Sequence, residues 1–215
     1  MTMSSPAETG LPGRRRQAAQ NDQVILDAAR EVFLEDPKAP VAAVAKRAGV
    51  GISALYRRYP GKEDMLRRLC HDGLRRYIAE AEAALERPDA WVGFTEFLDR
   101  VVEADVHSLT VHLAGTFTPT PEMFEDSQRA ARLARDLVDR ARESGRLRPD
   151  AVVEDLGLVL EGCAAIRVPD PGRTHELRRR VLAMMVQSLG HSGEPELPGP
   201  PPHGGDFAWR WQPRA

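Results

Sequence analysis

The sequence predicts an all-α protein with a small basic N-terminal unit followed by a larger helical bundle. Three observations predict this fold class. Apolar residues recur at helical spacing between residues 21 and 189, and proline and glycine separate nine such segments. No stretch shows the alternation that is typical of a half-buried strand. A chain of 215 residues is long enough to bury a core in two units.

Positive charge is concentrated near the N-terminus. The whole chain has a net charge of -2, so any nucleic-acid site must be local. Between residues 14 and 62, ten lysines and arginines outnumber five acidic residues by five. Cys70 and Cys163 lie far apart and fit no disulfide or metal motif, which predicts reduced thiols in a cytoplasmic protein. No apolar run is typical of a signal peptide or a membrane span, so no membrane partner is expected.

The N-terminal segments predict an arm and three helices. Residues 1–19 are expected to form a flexible basic arm containing Arg14–Arg16, which either reaches a DNA minor groove or remains solvated. A first helix over residues 21–36 buries a face containing Ile25, Ala28, Ala29, Val32 and Phe33, with Asn21 or Asp22 as its N-cap. A second helix follows Pro40 and ends before Gly49, and a third runs from Gly51 or Ile52 to Tyr59.

Six further helices are expected to form the bundle. They are predicted over residues 62–86, 91–109, 110–117, 122–143, 150–166 and 174–189. Residues 190–215 are rich in proline and glycine and are expected to be mostly disordered, although Phe207, Trp209 and Trp211 could dock on the bundle. The expected domains are therefore residues 1–19, 20–62, 63–189 and 190–215.

The second and third segments have the pattern of a helix-turn-helix. On a wheel of about 100° per residue, the third helix separates into two sides. Ile52, Leu55, Tyr56 and Tyr59 lie on the side expected to pack, whereas Ser53, Ala54, Arg57 and Arg58 form a small, polar and cationic side. Such a face fits a major groove, where an arginine binds phosphate or guanine, and Lys46, Tyr56 and Lys62 extend the basic surface. The alternative is a solvated basic face on an ordinary helix.

The run VAAVAKRAGVGISALYRRYPGKEDML resembles the DNA-binding segment of the TetR family of bacterial regulators. The matching residues are Val44-Ala45, Ala48-Gly49-Val50, Leu55-Tyr56, Tyr59 and Lys62. The resemblance implies a homodimer of nine-helix protomers, an operator with two-fold symmetry, and a small molecule that releases the DNA. It also implies base contacts from Gly51 to Ala54 and phosphate contacts from Tyr56, Arg57 and Lys62. Pro40 and Gly51 replace polar residues that are common in the family, and Ile52 offers bases only apolar contact.

The bundle contains candidate residues for an effector pocket and a dimer surface. Apolar and imidazole side chains in its first half could line a pocket or simply form the core: Trp91, Phe94, Leu98, His107, His112, Phe117, Met123 and Phe124. We expect the last two helices to form the homodimer surface, with Gly157, Gly162, Ala164, Ala165, Val181, Leu182, Met185 and Leu189. The effector itself is unknown. A ligand that favours one tilt of the fourth helix would change the spacing of two DNA-binding units.

Two other classes of function compete with a repressor. An activator or a ligand-independent regulator would share the same DNA-binding pattern. A small all-α enzyme or carrier would need converging catalytic groups, and Glu103 with His107 is the best acid–base pair in the sequence. An exposed polar face explains that pair more simply, so we expect no enzyme activity and no cofactor. His107 and His112 lie five residues apart, on different helix faces, and predict no metal site. Cys163 is either a packed thiol or a redox sensor.

Overall fold

The computed structural model describes residues 12–113, 115–190, 193 and 195–208, with side chains described for all of these except residues 12–19, 110, 111, 207 and 208. Within these ranges the chain is all-helical and contains no strand, in agreement with the predicted fold class. The helices are α1 (Pro12–Glu35), α2 (Val41–Ala48), α3 (Ile52–Arg58), α4 (Lys62–Leu85), α5 (Ala90–Glu103), α6 (Val106–Leu113), α7 (Pro121–Glu143), α8 (Asp155–Ala165), α9 (Pro171–Leu189) and the single turn α10 (Gly205–Ala208).

The chain divides into two compact units, Met1–Met65 and Leu66–Ala215, with the boundary inside α4. In the first unit, α1 packs against α2 and α2 against α3. Their shared core contains buried aliphatic and aromatic side chains at the positions that the helical spacing predicts: Ile25, Ala28, Ala29, Val32, Phe33, Val44, Ala45 and Leu55.

Helix α1 begins earlier than the sequence predicts. It starts at Pro12, so residues 12–19 of the expected arm are helical, and residues 1–11 lie outside the described residues. Proline is favoured in a first helical turn because its missing N–H would have no partner there. Asn21 and Asp22, expected to cap the helix, lie in its interior instead. The side chain of Asp22 is consequently available to α3, as described below.

In the second unit, α5 contributes much of the core. Phe94, Phe97, Leu98 and Val101 are fully buried, and α5 packs against α6, α7 and α9. Helix α8 packs against α6 and α9. The described helices include none that is both long and apolar enough to span a bilayer.

The break between α5 and α6 differs from the predicted helix boundaries, which were residues 91–109 and 110–117. Helix α5 ends at Glu103 because Asp105 adopts a left-handed conformation with φ of 50°. Its carboxylate is held by Ser108 and by the buried guanidinium of Arg178, whose Nη1 lies 2.6 Å from Asp105 Oδ1. This interaction from α9 stabilises a turn that the apolar spacing alone does not indicate.

The loop before α8 and the start of the C-terminal tail are joined. The buried Arg148 donates to both carboxylate oxygens of Asp150, at 2.6 and 3.0 Å, and to the carbonyl of Pro195 at 2.7 Å. The backbone N–H of Leu197 donates to Asp150 at 2.7 Å. Helix α8 therefore begins at Asp155 rather than residue 150, and part of the expected disordered tail has specific contacts. Trp209 and Trp211 lie outside the described residues.

Candidate nucleic-acid interface

The turn between α2 and α3 depends on Gly49. This residue ends α2 in a left-handed conformation, with φ of 66°, and its N–H points to the carbonyls of Ala45 and Lys46. Val50 then donates to Ala45 at 3.0 Å, which closes the turn. Helix α3 starts immediately after the extended Gly51, so the two short helices are joined without a longer loop.

Helix α3 buries one side and exposes the other. Leu55 is fully buried and the following Tyr59 is also buried. Most of the predicted DNA-contacting residues are exposed, namely Lys46, Gly51, Ile52, Ser53, Tyr56, Arg57 and Arg58, whereas Ala54 is half-buried. Ile52 and Tyr56 were expected on the packing side but are 40% and 48% exposed. The exposed face is therefore wider and more apolar than the helical wheel indicates.

Lys62, which is expected to contact phosphate, is bonded within the first unit. Its ammonium donates to the carbonyls of Pro37 and Ala39 at 2.6 and 2.8 Å, and it lies 5.0 Å from the centre of the Phe33 ring. Partial burial lowers the pKa of this lysine, while Asp36 opposes that effect. Lys62 thus satisfies carbonyls of the connection between α1 and α2.

Asp22 links α1 to the end of α3. Its Oδ1 accepts a hydrogen bond from the hydroxyl of Tyr59 at 3.0 Å and lies 3.3 Å from Arg58 Nη1. The three side chains converge although Asp22 precedes the other two by more than thirty positions along the chain. No local sequence spacing joins them, which is why the sequence did not identify Asp22 as part of this surface.

Two carboxylates of α1 neutralise the charge of Arg47. Its guanidinium donates to Glu31 at 2.5 Å and lies 3.4 Å from Glu35, and the hydrogen bond to Glu31 is the main cause of its raised pKa. Glu31 and Glu35 are one helical turn apart, so both carboxylates reach the same partner. The neighbouring Lys46 is exposed, and the basic surface consequently depends on Lys46 and the arginines of α3.

The predicted pocket residues do not share one environment. Phe94 and Leu98 are fully buried core residues, and Met123, Phe117 and His107 are also buried. Trp91 is half-buried and stacks on Phe94 with ring centres 5.7 Å apart, while Arg146 lies against its ring. Phe124 is 61% exposed on α7 and cannot line an enclosed cavity in this chain.

Among the described residues of the second unit, two surface grooves stand out, and neither is lined by a predicted pocket residue. The larger, of about 690 Å³, lies along α9 and includes Asp99, His175, Arg179, Met184 and Gln187. The smaller, of about 370 Å³, lies at the end of α4 and includes Glu80, Arg87, Phe97 and Arg100. Both mix charged and apolar side chains.

The candidate catalytic and redox side chains form contacts within the second unit or are buried in it. Glu103 contacts His175 at 3.1 Å, whereas His107 Nδ1 lies 3.4 Å from the carbonyl of Val101. Cys163 is fully buried and its pKa is raised by desolvation, which disfavours the reactive thiolate. Among the described residues, no group of three or more histidine, cysteine or acidic side chains could hold a metal ion.

Several dimer-surface candidates pack inside the chain instead. Leu182, Leu189 and Ala164 are buried in the single protomer. A Cβ on Gly162 would lie 2.6 Å from Met185 Cε, so this glycine permits close packing of α8 on α9 within one chain. The exposed large apolar residues of these helices are Leu158 and Met184, which the sequence did not single out, and the predicted Ala165 is exposed as well.

The family comparison covers the same part of the chain as this surface. Residues 25–69 match the family described as bacterial regulatory proteins, tetR family. A curated relative from Mycolicibacterium smegmatis, the HTH-type transcriptional repressor LfrR, is 38% identical over 107 residues. That match covers 48% of this chain and 51% of the relative, so it spans about half the length of the curated protein.

The fold match to solved structures covers residues of both units. PfmR from Thermus thermophilus matches with a TM-score of 0.59 and 22% identity, covering 76% of this chain and 97% of that one. LfrR from Mycobacterium smegmatis, solved in complex with proflavine, has a TM-score of 0.58 and 21% identity, covering 84% and 99%. KstR2 from Mycobacterium tuberculosis has a TM-score of 0.60 and 18% identity, covering 80% and 96%. At these identities the likeness concerns the fold.

Proposed function

Because the chain belongs to the TetR family of bacterial regulatory proteins, we propose that it is a transcriptional repressor that binds double-stranded operator DNA. The observation that carries this proposal is the exposed face of α3, where Ile52, Ser53 and Arg57 all reach solvent beside a rigid glycine turn. A helix held in this way can enter a major groove without rearrangement. The repressor assignment is supported by the curated relative, which is itself a repressor.

We assign different roles in DNA recognition to the side chains on this face. Gly51, Ser53 and Ala54 are small, so the start of α3 can approach base edges closely, and Ile52 contacts thymine methyl groups. Lys46, Tyr56 and Arg57 bind backbone phosphates and fix the register of α3 on the duplex.

The protein acts as a homodimer in this proposal. Leu158 on α8 and Met184 on α9 are 49% and 51% exposed, and a second copy would cover both. A two-fold axis through α8 and α9 pairs each apolar side chain with its counterpart and presents two α3 helices to a symmetric operator. The two recognition helices then require half-sites about one helical turn apart.

A small molecule releases the DNA in this proposal. The similar regulator LfrR was solved with bound proflavine, which supports a small-molecule effector here. We place the effector site in the second unit beside Trp91 and Phe94, where a stacked aromatic pair reaches from the surface to the core. The effector acts by binding one conformation of α4 better than another. The chain has no enzymatic role in this proposal and works in the cytoplasm on chromosomal DNA.

Fluorescence anisotropy tests the DNA-binding proposal. The purified protein is titrated into a labelled duplex from directly upstream of its coding region and into a scrambled duplex of equal length. We expect roughly a thousandfold tighter binding to the native duplex and a steep loss of affinity with salt. If that duplex shows no preference, an operator is selected from a randomised pool. Failure to enrich any sequence from the pool would contradict the proposal.

The same titration distinguishes a phosphate contact made by α3 from a general effect of positive charge in the first unit. Replacement of Arg57 by glutamine removes one proposed phosphate contact and lowers the salt slope by about one on both duplexes. Arg47→Gln is the matched control, because Arg47 is already neutralised by Glu31 and Glu35. An equal loss in both variants would mean that the general charge of the unit, rather than the α3 face, attracts DNA.

A further inference from the structure

Asp22 is an acidic residue at the edge of a surface proposed to bind a polyanion. A carboxylate in this place repels phosphates unless a cation neutralises it. Arg58 supplies that cation from the last position of α3, with Nη1 at 3.3 Å from Asp22 Oδ1. The same oxygen accepts the Tyr59 hydroxyl at 3.0 Å. One carboxylate oxygen therefore holds two consecutive residues at the end of the recognition helix.

The burial of the three side chains indicates which contact is fixed and which can exchange. Tyr59 is buried, so its hydroxyl is a permanent anchor between α1 and the end of α3. The Asp22 and Arg58 side chains remain 40% and 31% exposed, so their ion pair is open to solvent and competes with other anions. A DNA phosphate is such an anion. Arg58 can therefore exchange its contact with Asp22 for a contact with a DNA phosphate.

Resting on the proposed DNA binding, we propose that Asp22 is a positioning residue that limits the phosphate contacts of the recognition helix through Arg58 and Tyr59. It anchors the end of α3 through Tyr59 and holds the Arg58 charge on the protein, away from phosphates. Binding to random DNA depends almost wholly on cations that neutralise phosphates. Binding to an operator also uses base contacts, which Asp22 leaves unchanged. Asp22 therefore lowers affinity for random DNA and for the operator by a similar factor, because both complexes lose the same phosphate contact.

Asp22→Asn tests this role directly. The amide keeps the size of the side chain and an acceptor oxygen for the Tyr59 hydroxyl, but it loses the charge that holds Arg58. Anisotropy is followed on an operator selected from a randomised pool by the wild-type protein, and on a scrambled duplex, between roughly 50 and 200 mM salt. We expect about three- to tenfold tighter binding to the scrambled duplex and a salt slope steeper by about one. The operator should gain affinity by a similar factor, so the ratio of operator to scrambled affinity stays close to that of the wild type.

Arg58→Gln provides a second test that does not depend on the Asp22 variant. Because Asp22 already withholds Arg58, this substitution changes the salt slope on the scrambled duplex by much less than Arg57→Gln does. In the Asp22→Asn background, however, Arg58→Gln removes the newly gained affinity, so the two substitutions are not additive. Additive effects would show that Asp22 acts through its charge alone and would overturn the proposal.

Asp27→Asn is the matched control, since it removes the same charge from the same helix. Asp27 is exposed and bonds Gln23 of its own helix at 2.8 Å. An equal change in both aspartate variants would overturn the role of Asp22. So would an unchanged salt slope in Asp22→Asn, provided that the wild-type protein enriches an operator. If the wild-type protein enriches no sequence, the proposed function fails, and this inference fails with it. Circular dichroism melting confirms that each variant is folded.

Discussion

Lys62 joins two segments of the first unit through its ammonium group. In the sequence it looks like a phosphate-binding lysine, because it follows the aromatic end of a recognition helix. Its actual partners are the carbonyls of Pro37 and Ala39 and the ring of Phe33, all more than twenty positions earlier. Such contacts depend on how α1, α2 and α4 pack, so the motif alone predicts a basic residue but not its partner.

Replacing Lys62 by methionine is expected to lower stability more than DNA binding. The two carbonyls lose a charged donor, and the free energy of unfolding falls by about 1–2 kcal/mol. Chemical denaturation of the purified variant measures this change. Lys46→Met is the reciprocal control, because Lys46 is exposed and its loss should leave stability within about 0.5 kcal/mol while weakening DNA binding. The opposite pattern would mean that Lys62 binds phosphate and that its internal bonds are dispensable.

The contacts of Asp150 predict how the stability of the protein changes at low pH. The hydrogen bond from Arg148, together with the N–H of Leu197, lowers the pKa of Asp150 from its usual range to about 2. A carboxyl whose pKa is lowered on folding stabilises the protein above its unfolded pKa of about 4, and that contribution disappears as the pH falls through about 2. Wild-type stability should therefore decline more steeply between these pH values than that of Asp150→Asn.

Unfolding midpoints measured from about pH 6 to pH 2 test this expectation. The Asp150→Asn variant should be less stable than the wild type near neutral pH, and the difference should shrink in acid. Asp136→Asn, on the exposed side of α7, controls for the general loss of an acidic residue. A stability difference that stays constant across the range would show that the charge of Asp150 does not hold the tail.

The sequence predicts the helix boundaries well where the residue that ends or begins a helix lies beside that boundary in the chain. Gly49 ends α2, and α7 ends at Glu143 before Ser144-Gly145, as the punctuating residues predict. The predictions fail where a distant side chain decides the boundary. Asp105 interrupts the expected fifth helix because Arg178 of α9 holds its carboxylate, and Arg148 with Asp150 delays the start of α8. The sequence carries no periodic signal for either contact.

Gly49 is predicted to be required for its backbone conformation rather than for space. No heavy atom lies within 4 Å of a Cβ placed there, but φ of 66° is unfavourable for most side chains. Gly49→Ala should therefore lower the free energy of unfolding by about 1 kcal/mol. Gly49→Asn should lower it less, because asparagine tolerates the left-handed region. Equal losses in the two variants, measured in urea, would show that backbone strain is not what this glycine relieves.

For the whole molecule, the sequence predicts which residue types take part in assembly but not how the protomers pack. The apolar pattern of the last two helices predicts a buried face, but it does not separate packing within a protomer from packing between protomers. Gly162 illustrates the ambiguity, because a Cβ added there would meet Met185 of its own chain. The exposure of Leu158 and Met184, by contrast, becomes visible only once α8 and α9 are packed.

Met184→Glu, alone or with Leu158→Glu, should separate the protomers. Burying an uncompensated carboxylate at each side of a two-fold axis brings like charges together and disfavours association. Light scattering should give twice the protomer mass of 23.8 kDa for the wild type and the single mass for the variant. Phe124→Glu, an equally large change at a more exposed position, should remain dimeric. Dissociation by Phe124→Glu alone would place the interface on α7.

The central claim is that the exposed face of α3 contacts DNA, and one pair of variants tests it most directly. Ile52 on α3 and Val92 on α5 are both β-branched, and they are 40% and 41% exposed. Replacement of either by glutamate makes the same chemical change at the same exposure. Operator affinity measured by anisotropy is predicted to fall at least about a hundredfold in Ile52→Glu, because the carboxylate meets the negatively charged groove, and to remain unchanged in Val92→Glu. Equal operator affinity in the two variants would show that the exposed face of α3 does not contact DNA.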